Sequence, residues 1–346
     1  MSSRDLKPML KVAVVTINQP SLDSACLLVP YLGEFEVDVY GKKDLKHNLK
    51  DLNIYNKLDD ILPIAWGSYD AIICILAMGA VVRKIAPLLK DKSTDPAVLV
   101  INLALDKIVP LLSGHLGGAN ELADTLVQKL PNAINFISTA TDQTNTLAFE
   151  MEAKKNGWQI ENLKALANIS NRLLNKQVVN VATYESIFNS LSKKENLQLV
   201  DFKDEDKNTV VISPFHRTKN LLLKPKLYIG IGCNRDTSKE MINDAVNEFL
   251  KKHNLLLEDI HSFASFDAKK DEVGLLDFIK NNHFDITFYK KDAINSLDNE
   301  FSPSASTKFF GLKGVAEPSA ILASTYKELV IKKEVYYKSI TIAGAL

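Results

Sequence analysis

Short apolar, β-branched runs alternate with amphipathic segments along most of the chain, and this pattern is typical of an α/β fold. In the first half, apolar positions at helical spacing predict two helices, each following a strand. A strand followed by a helix fits a right-handed crossover, so we expect a mainly parallel sheet. The predicted strands lie near residues 12–17, 71–78, 97–103 and 134–137, and the predicted helices near 81–89 and 122–130.

The pattern weakens from about residue 177. A polar run at 203–208 and the prolines Pro214 and Pro225 predict a linker, with the main boundary near residue 224. A second α/β unit is predicted after it, with strands at 227–231, 260–266 and 286–289 and helices at 241–250, 273–279 and 318–324.

The predicted organisation has three parts. Residues 1–135 form an N-terminal α/β region, residues 136–224 a middle α/β region with the linker, and residues 225–346 a separate, smaller C-terminal α/β domain. The length of 346 residues agrees with two or three domains of ordinary size.

Composition narrows the class of protein. Lys and Arg together number 42, and Asp and Glu also number 42, so the formal net charge is zero. A dedicated DNA-binding protein usually has a basic excess, because phosphate neutralisation dominates its affinity, so nucleic acid is not expected as a partner. The longest apolar run, residues 71–82, is too short to span a bilayer, and the first residues do not resemble a signal peptide. We therefore expect no membrane attachment and a cytoplasmic location.

The three cysteines, Cys26, Cys74 and Cys233, lie far apart in the sequence. The sequence contains no CxxC pair and no Cys/His cluster. Neither a disulfide framework nor a structural zinc site is expected from this spacing.

The first candidate for chemistry is the stretch Ser113-Gly114-His115-Leu116-Gly117-Gly118-Ala119-Asn120-Glu121, the Ser113–Glu121 motif, between an apolar run and a helix. Its glycines let the backbone approach a ligand closely, and the helix start offers N–H groups and a positive dipole end. Such a loop suits a carboxylate, a phosphate or a developing oxyanion, and His115 is suited to acid/base work near neutral pH. Alternatively, the motif is a tight glycine turn that His115 caps.

A second junction of strand and helix runs from Gly79 to Lys84. It puts Arg83 and Lys84 in the first turns of a helix, where cations gain nothing from the helix dipole and an anionic ligand would explain them. A solvated polar face is the alternative, and it suits Lys84 better than Arg83.

The stretch Gly230-Ile231-Gly232-Cys233-Asn234-Arg235 begins like a dinucleotide-binding fingerprint, but Arg235 stands where the third glycine should be. Thr237 and Glu240 predict a capping box at the start of the next helix. A nucleotide-dependent Rossmann enzyme is therefore disfavoured, whereas generic anion binding stays open. Cys233 is either a nucleophile, because a helix N-terminus lowers a thiol pKa, or a buried, inert residue.

Two further groups follow predicted strands in the C-terminal part. Asp267, Lys269 and Lys270 lie in a loop of mixed charge, which either binds a polar ligand beyond the strand ends or is simply solvated. Glu317 precedes Pro318 at a predicted helix start, an arrangement that capping of the helix alone would explain.

The order of these motifs resembles that of the cobalamin biosynthesis protein CbiG family. The C-terminal part is also similar to the family's shorter relative CobE. Asn234 stands where the family usually has a basic residue, so we assign it no charge-based role. The resemblance rests on residues 78–89, 92–98 and 110–123, and on residues 230–233, 265–276 and 314–320.

The resemblance implies an enzyme of the anaerobic route to cobalamin (vitamin B12), a cobalt-precorrin-5A hydrolase. Such an enzyme opens the ring-A lactone of a cobalt-corrinoid substrate and releases acetaldehyde to give cobalt-precorrin-5B. The cobalt arrives inside the substrate, so no cofactor and no metal site of the protein are expected, and transient contact with other enzymes of the pathway is allowed. The alternative is a non-catalytic corrinoid-binding or intermediate-transfer protein of the same pathway.

For this reaction, hydrolysis needs an activated water, a stabilised oxyanion and proton transfer. We expect His115 as the acid/base, Glu121 or Glu317 as a second proton-handling group, and the 114–118 backbone as a source of oxyanion donors. The many carboxylates of the macrocycle call for several anion-binding points around an apolar cleft. The expected substrate-binding residues are Gly79, Arg83, Ser113, Gly114, Gly117, Gly118, Asn120, Gly230, Gly232, Cys233, Arg235, Asp267, Lys269 and Lys270.

Overall fold

The computed structural model describes residues 9–47, 49, 51–91, 94–138, 146–303 and 311–346. The chain divides into two compact units, residues 1–144 and residues 145–346. The first unit holds one sheet and the second holds two, and each unit has its own hydrophobic core clusters. The domain bounds at residues 135 and 224 stay predictions.

The first unit is built on one seven-stranded sheet. Its strands are β1 Lys11–Thr16, β2 Glu36–Lys42, β3 Leu52–Tyr55, β4 Ala71–Ile75, β5 Ala97–Ile101, β6 Lys107–Leu112 and β7 Ile134–Asn135, in the order β3-β2-β1-β4-β5-β6-β7. Its helices are α1 Gln19–Leu28, α2 Leu58–Ser68, α3 Met78–Ile85 and α4 Ala119–Lys129. Neighbouring strands run parallel except β5 and β6, so the predicted α/β class with a mainly parallel sheet is confirmed.

Apolar residues cover both faces of this sheet, because helices pack on each side. Successive side chains of a strand point to opposite faces. Along β1, Val12 and Val14 belong to the core beneath α1 and α4, whereas Ala13 and Val15 belong to the core beneath α2 and α3. All four side chains are fully buried, which explains why β1 is continuously apolar rather than alternating.

Strand β6 runs antiparallel to β5 and determines where the Ser113–Glu121 motif lies. Residues 102–106 connect the two strands, and the Asn102 side chain accepts the N–H groups of Asp106 and Lys107 at 3.2 and 2.9 Å. A parallel crossover needs about a dozen residues or more, so a connection this short can only reverse the chain. The predicted crossover from the strand at 97–103 directly to the helix at 122–130 is therefore wrong, because β6 intervenes.

The second unit holds two five-stranded sheets. The strands of the middle sheet are β8 Gln159–Glu161, β9 Val179–Ala182, β10 Leu197–Val200, β11 Val210–Ile212 and β12 Leu222–Lys224, in the order β10-β9-β11-β12-β8. Those of the C-terminal sheet are β13 Leu227–Cys233, β14 Ile260–Phe266, β15 Ile286–Tyr289, β16 Leu329–Tyr336 and β17 Ile340–Ala345, in the order β15-β14-β13-β17-β16. The helices are α5 Phe149–Asn156, α6 Leu166–Leu174, α7 Glu185–Ser190, α8 Lys239–Lys252, α9 Val273–Asn281, α10 Lys291–Asn295 and α11 Ala316–Ala323.

The stretch that the sequence predicts as a linker holds two strands of the middle sheet. In β11 and β12, Val210, Val211, Ile212, Leu222 and Leu223 are fully buried. Each apolar run is short and stands between polar residues and prolines, so it has too few positions to show a period. One core cluster contains residues of both sheets, so the middle and C-terminal sheets share their apolar interior.

The start of α8 differs from its predicted capping. The Ser238 hydroxyl accepts the Met241 N–H at 3.3 Å, whereas the Thr237 hydroxyl donates to the carbonyl of Asn234 at 2.9 Å. The predicted capping box of Thr237 and Glu240 is therefore wrong by one residue. None of the helices within the described ranges is long and apolar enough to cross a membrane.

Candidate active site

The Ser113–Glu121 motif forms a loop between β6 and α4 that folds against the amino end of β5. The Ser113 hydroxyl donates to the carbonyl of Asp95, just before that strand, at 2.9 Å. The Ala119 N–H donates to the carbonyl of Ser113 at 3.2 Å, which closes the loop on itself. These bonds give His115, between them in sequence, a fixed frame at the edge of the sheet.

Asp95 anchors this loop, and sequence reasoning missed it. Its side chain is only 7% exposed, and its carboxylate oxygens accept the Lys90 N–H at 3.1 and 3.2 Å. A buried carboxylate needs such partners, and here they fix the backbone beneath the loop. The only signal in the sequence is the Asp95-Pro96 pair, which by itself predicts an ordinary turn.

The glycines of the motif serve the packing of the loop itself. A Cβ on Gly117 would lie 2.4 Å from the Cβ of Ser113 and 2.9 Å from its carbonyl oxygen. Gly118 has a φ of 86°, in the left-handed region that favours glycine. Gly114 is less constrained, because a Cβ there would meet the side-chain amide of Asn120 at 2.7 Å, and that group can move. The loop therefore requires glycine at two positions without any ligand.

One of the expected oxyanion donors, the Gly118 N–H, is engaged inside the loop, as is the N–H of Asn120 just beyond the expected set. The Gly118 N–H donates to the carbonyl of His115, and the Asn120 N–H donates to that of Gly114, both at 3.0 Å. A donor already bound to a carbonyl is not pre-organised for an oxyanion. The Gly118 N–H can serve only if the loop opens, and an oxyanion role for residues 114–117 stays a prediction.

His115 and Glu121 lie at either side of the loop's turn into α4. His115 is half-buried, whereas Glu121 is exposed in the first turn of the helix, where its negative charge complements the helix dipole. Asn120 between them is buried. An imidazole and a carboxylate on one short motif are suited to transferring protons to and from the same bound group.

Gly79 and Arg83 lie at the opposite edge of the same sheet. Helix α3 starts at the carboxyl end of β4, whereas the antiparallel β6 brings the Ser113–Glu121 motif to the amino ends of β4 and β5. The predicted placement of Arg83 and Lys84 in the first turns of a helix is wrong, because α3 ends at Ile85 and both lie in its last turn, where the helix dipole favours cations without any ligand. The Arg83 guanidinium donates to the carbonyl of Gly79 at 2.9 Å. The strand order reverses between β1 and β4, where open α/β sheets often bind ligands, so this edge is a second candidate. The structure does not bring the two predicted groups together.

Arg235 and Lys269, two predicted anion-binding cations, are paired with carboxylates. Arg235 Nη1 lies 2.7 Å from Asp271 Oδ1, and Arg235 Nε lies 3.1 Å from Glu272 Oε1. Lys269 Nζ lies 3.1 Å from the same oxygen of Glu272, a side chain that is 5% exposed. The Arg235 guanidinium lowers the pKa of Asp271 below its usual range. The network ties the loops after β13 and β14 together and neutralises its own cations.

Lys270 and Asp267 form a weaker pair in the same loop. Lys270 Nζ lies 3.4 Å from Asp267 Oδ2, and both side chains are exposed. Exposed pairs of this kind contribute little to stability and exchange partners easily. A ligand is therefore able to replace Asp267 as the partner of Lys270.

Gly230, Gly232 and Cys233 face the interior of the protein. A Cβ on Gly230 would lie 1.8 Å from the carbonyl oxygen of Ala316, so this glycine lets α11 pack directly on β13. A Cβ on Gly232 would lie 2.7 Å from the hydroxyl of Thr341. Cys233 is 8% exposed, and burial raises the pKa of its thiol to about 11. Internal packing accounts for all three positions.

Glu317 has a structural role in the second unit, whereas His115 belongs to the first. It is buried in the first turn of α11 and accepts the N–H and the hydroxyl of Ser302 at 2.7 and 2.8 Å. It also accepts the N–H of Lys333 in β16 at 2.9 Å. Three donors occupy most of its acceptor capacity, so Glu317 holds these segments to the helix.

The chain is an open α/β protein with loops that join strands to helices. Proteins of this class commonly bind small molecules beyond the ends of their strands. Three family models match the chain in order. They are Cobalamin synthesis G N-terminal at residues 60–142, the Cobalamin biosynthesis central region at 147–225, and Cobalamin synthesis G C-terminus at 227–345. The chain belongs to the cobalamin biosynthesis CbiG family, and the resemblance of its motifs is confirmed.

Two cobalt-precorrin-5A hydrolases and one solved structure illustrate what the chain is similar to. The cobalt-precorrin-5A hydrolase of Priestia megaterium is 32% identical over 313 residues, covering 83% of this chain and 81% of that protein. The cobalt-precorrin-5A hydrolase of Salmonella typhimurium is 28% identical, covering 75% of this chain and 78% of that protein. CobE, a protein from the cobalamin (vitamin B12) biosynthetic pathway, is 27% identical in its crystal structure, covering 35% of this chain and 91% of CobE, with a TM-score of 0.32.

Proposed function

We propose that the protein is a cobalt-precorrin-5A hydrolase, which opens the ring-A lactone and releases acetaldehyde to give cobalt-precorrin-5B. The observation that carries this proposal is the 32% identity to a hydrolase of that name across 83% of the chain. The matches to the N-terminal, central and C-terminal family regions support it, because the chain contains all three regions in that order.

The proposed reaction consumes one water and needs no oxidant or reductant. Water adds to the lactone carbonyl, and the ring oxygen leaves as an alcohol. This alcohol then gives up its proton while its carbon–carbon bond to the macrocycle breaks, so that its oxygen becomes the carbonyl of acetaldehyde. The macrocycle carbon takes up a proton. The protein has to supply a base, an acid and oxyanion stabilisation, and since cobalt belongs to the substrate, we propose no further cofactor.

His115 is the proposed acid/base, because the bond from Ser113 to Asp95 fixes the loop that carries it. Glu121 is the better second group, since it stands on the same motif as His115. Glu317 is disfavoured for that role, because Ser302 and Lys333 already occupy its carboxylate.

Anaerobic incubation with cobalt-precorrin-5A tests the proposal directly. Released acetaldehyde is measured with alcohol dehydrogenase and the loss of NADH absorbance, and the corrinoid product by its mass. We expect one acetaldehyde for each substrate consumed. Binding of the substrate without release would instead support a non-catalytic corrinoid-binding or intermediate-transfer protein.

His115→Ala tests the acid/base role. We expect kcat to fall about 10²- to 10⁴-fold, the usual contribution of general acid–base catalysis, with the thermal unfolding profile unchanged. His47→Ala is the matched control, because His47 is an exposed histidine of the same unit, and it should turn over at the wild-type rate. Wild-type turnover by His115→Ala would remove His115 from the mechanism.

Location and partners are part of the same proposal. A pathway intermediate passes from one enzyme to the next, so we propose a cytoplasmic location and transient contact with other enzymes of cobalamin biosynthesis. Zero formal net charge supports a small-molecule substrate over nucleic acid.

A further inference from the structure

The second unit contains a cavity of about 560 Å³ whose lining includes none of the site residues predicted from the sequence. Its walls come from the end of β8, residues 214–218, Lys224 at the end of β12, and the carboxyl end of α8 with the turn after it. Strand ends of the middle sheet and the end of α8 therefore line it together. Cavities of about 300–1,000 Å³ are the size that holds small-molecule ligands.

The carboxylates of this cavity are already engaged. Lys224 Nζ lies 3.2 Å from Asp259 Oδ1 and 3.4 Å from Glu161 Oε1. Asp259, which is 4% exposed, also accepts the Leu256 N–H at 2.8 Å. These carboxylates and Lys224 satisfy one another within the protein, so they leave little capacity for a cationic ligand.

In the described ranges, the polar lining side chains without a partner are two cations and one amide. Within the described residues, the side chains of Arg217, Lys251 and Asn254 have no hydrogen bond or ion pair. All three are exposed where they line the cavity. Two of them are cations, and Arg217 presents a planar fork of N–H groups that matches the two oxygens of a carboxylate.

Phe215 and His216 give the cavity an aromatic wall with a fixed orientation. The His216 ring stacks on Phe202 with 4.1 Å between ring centroids, and its Nδ1 lies 2.9 Å from the hydroxyl of Ser213. Burial lowers the pKa of His216, so the wall is uncharged at neutral pH. A rigid wall reduces the cost of ordering the site when a ligand binds.

We propose that this cavity binds a small organic anion, whose carboxylate is held at the rim by Arg217 and Lys251. The rest of the ligand lies against Phe215 and His216. Two sources share this chemistry, a carboxylate side chain of the corrinoid substrate and a free polycarboxylate. Anion binding at the cavity goes beyond the hydrolase function and does not depend on it, whereas the choice between these two sources rests on the proposed function.

Calorimetric titration of the full chain with citrate tests the site. We expect the wild type to bind citrate more weakly as salt rises, because exposed cations are screened. Arg217→Ala/Lys251→Ala should bind at least about tenfold more weakly, since two charge-assisted contacts are lost. Lys155→Ala/Lys280→Ala is the matched control, because it removes two exposed cations of the same unit outside the cavity, and it should bind like the wild type.

Lys224 stays unchanged in these variants, because its removal would leave the buried Asp259 without a counter-charge. Equal citrate affinity in the wild type and in Arg217→Ala/Lys251→Ala would overturn the proposal. Absence of citrate binding to the wild type would overturn it as well.

Kinetics of acetaldehyde release separate the two sources. If the ligand is a carboxylate of the substrate, citrate competes with cobalt-precorrin-5A, and Arg217→Ala/Lys251→Ala raises KM while kcat is kept. If the ligand is a free anion, neither citrate nor the double substitution changes KM. Both results require citrate binding that depends on Arg217 and Lys251, so the cavity proposal and the hydrolase proposal can fail independently.

Discussion

At the end of β13, Cys233 directs its thiol into the core of the second unit, among the residues that join the two sheets. In the sequence it follows two glycines and precedes a helix, a setting that lowers a thiol pKa. In the structure, however, α8 begins only at Lys239, and burial of the sulfur outweighs the nearby charges of Lys269 and Arg235. The pKa rises to about 11 and the thiol stays protonated at neutral pH.

We therefore expect Cys233 of the native protein to react slowly with iodoacetamide. With a pKa of about 11, only about one thiol in a thousand is ionised at pH 8, and the rate should rise about tenfold per pH unit below the pKa. Mass spectrometry of peptides after timed labelling follows this cysteine alone, and Cys233→Ala should keep its acetaldehyde release. Labelling of the native protein as fast as of the unfolded chain would contradict the burial of Cys233.

The predicted anion-binding residues likewise depend on neighbours that the sequence does not show. The sequence identifies Arg235 and Lys269 as cations beyond a strand end, and it also contains Asp271 and Glu272 close by. Which charges pair depends on how two loops from different strands approach each other, and that geometry is set by the sheet. The turn and the helix start of the Ser113–Glu121 motif were easier to predict, because the glycines and the first helical residues are contiguous in the chain.

At the scale of elements, the antiparallel direction of β6 places the candidate active site at the amino ends of β4 and β5 instead of at their carboxyl ends. Pro110 within Lys107–Leu112 hides β6 in the sequence, since proline is rare inside strands. Once β6 is recognised, the short connection after Ile101 fixes its direction. Antiparallel pairing then carries the Ser113–Glu121 motif away from the carboxyl ends, where the rule for open α/β sheets would have placed it.

The contact of α11 with β13 depends on a glycine, and Gly230→Ala tests it. The new Cβ would lie 1.8 Å from the backbone carbonyl of Ala316, so the helix has to shift as a body. We expect a loss of about 1–3 kcal/mol in the free energy of unfolding of the second unit, measured with urea and the fluorescence of Trp158 in a Trp66→Phe background. Gly67→Ala, measured in the first unit with the fluorescence of Trp66 in a Trp158→Phe background, is the control. Outside its own helix no described atom lies within 4 Å of its new Cβ, so it should change stability by less than about 1 kcal/mol.

A Gly230→Ala protein as stable as the wild type would show that α11 does not pack this closely on β13. A comparable loss in Gly67→Ala would show that alanine destabilises the chain for reasons unrelated to that contact. The comparison therefore isolates close approach from the general effect of replacing a glycine.

For the whole molecule, a net charge of zero does not mean that every cation has a carboxylate partner. Arg235, Lys269 and Lys270 each have a carboxylate partner, whereas Arg217 and Lys251 have none within the described residues. Neutrality of the total thus coexists with a small region of unpaired donors. The sequence count alone could not locate that region, because its residues come from separate segments of the second unit.

The α/β class was predictable for the whole chain, but the grouping of its sheets was not. The pattern placed a linker before residue 224, whereas the middle and C-terminal sheets share one core. Polar composition marks where a segment meets solvent and does not show which sheet its strands join. In the described ranges, the core clusters of the first unit lie between residues 12 and 133, and the main cluster of the second lies between 147 and 346.

Separate cores predict that the units unfold in separate steps, as multidomain proteins often do. The two tryptophans make this measurable, because Trp66 lies in the first unit and Trp158 in the second. Trp158→Phe leaves only the reporter of the first unit, and Trp66→Phe leaves only that of the second. Urea titrations of these two variants should therefore give two fluorescence transitions with different midpoints.

Core substitutions made in each reporter background decide whether the steps are independent. Leu99→Ala removes a fully buried side chain of the first unit and should cost about 2–5 kcal/mol, lowering the midpoint that Trp66 reports and not that of Trp158. Phe249→Ala, fully buried in the second unit, should do the reverse. If either substitution moved both midpoints equally, the chain would unfold as one cooperative body, and a change in one core would be transmitted to the other.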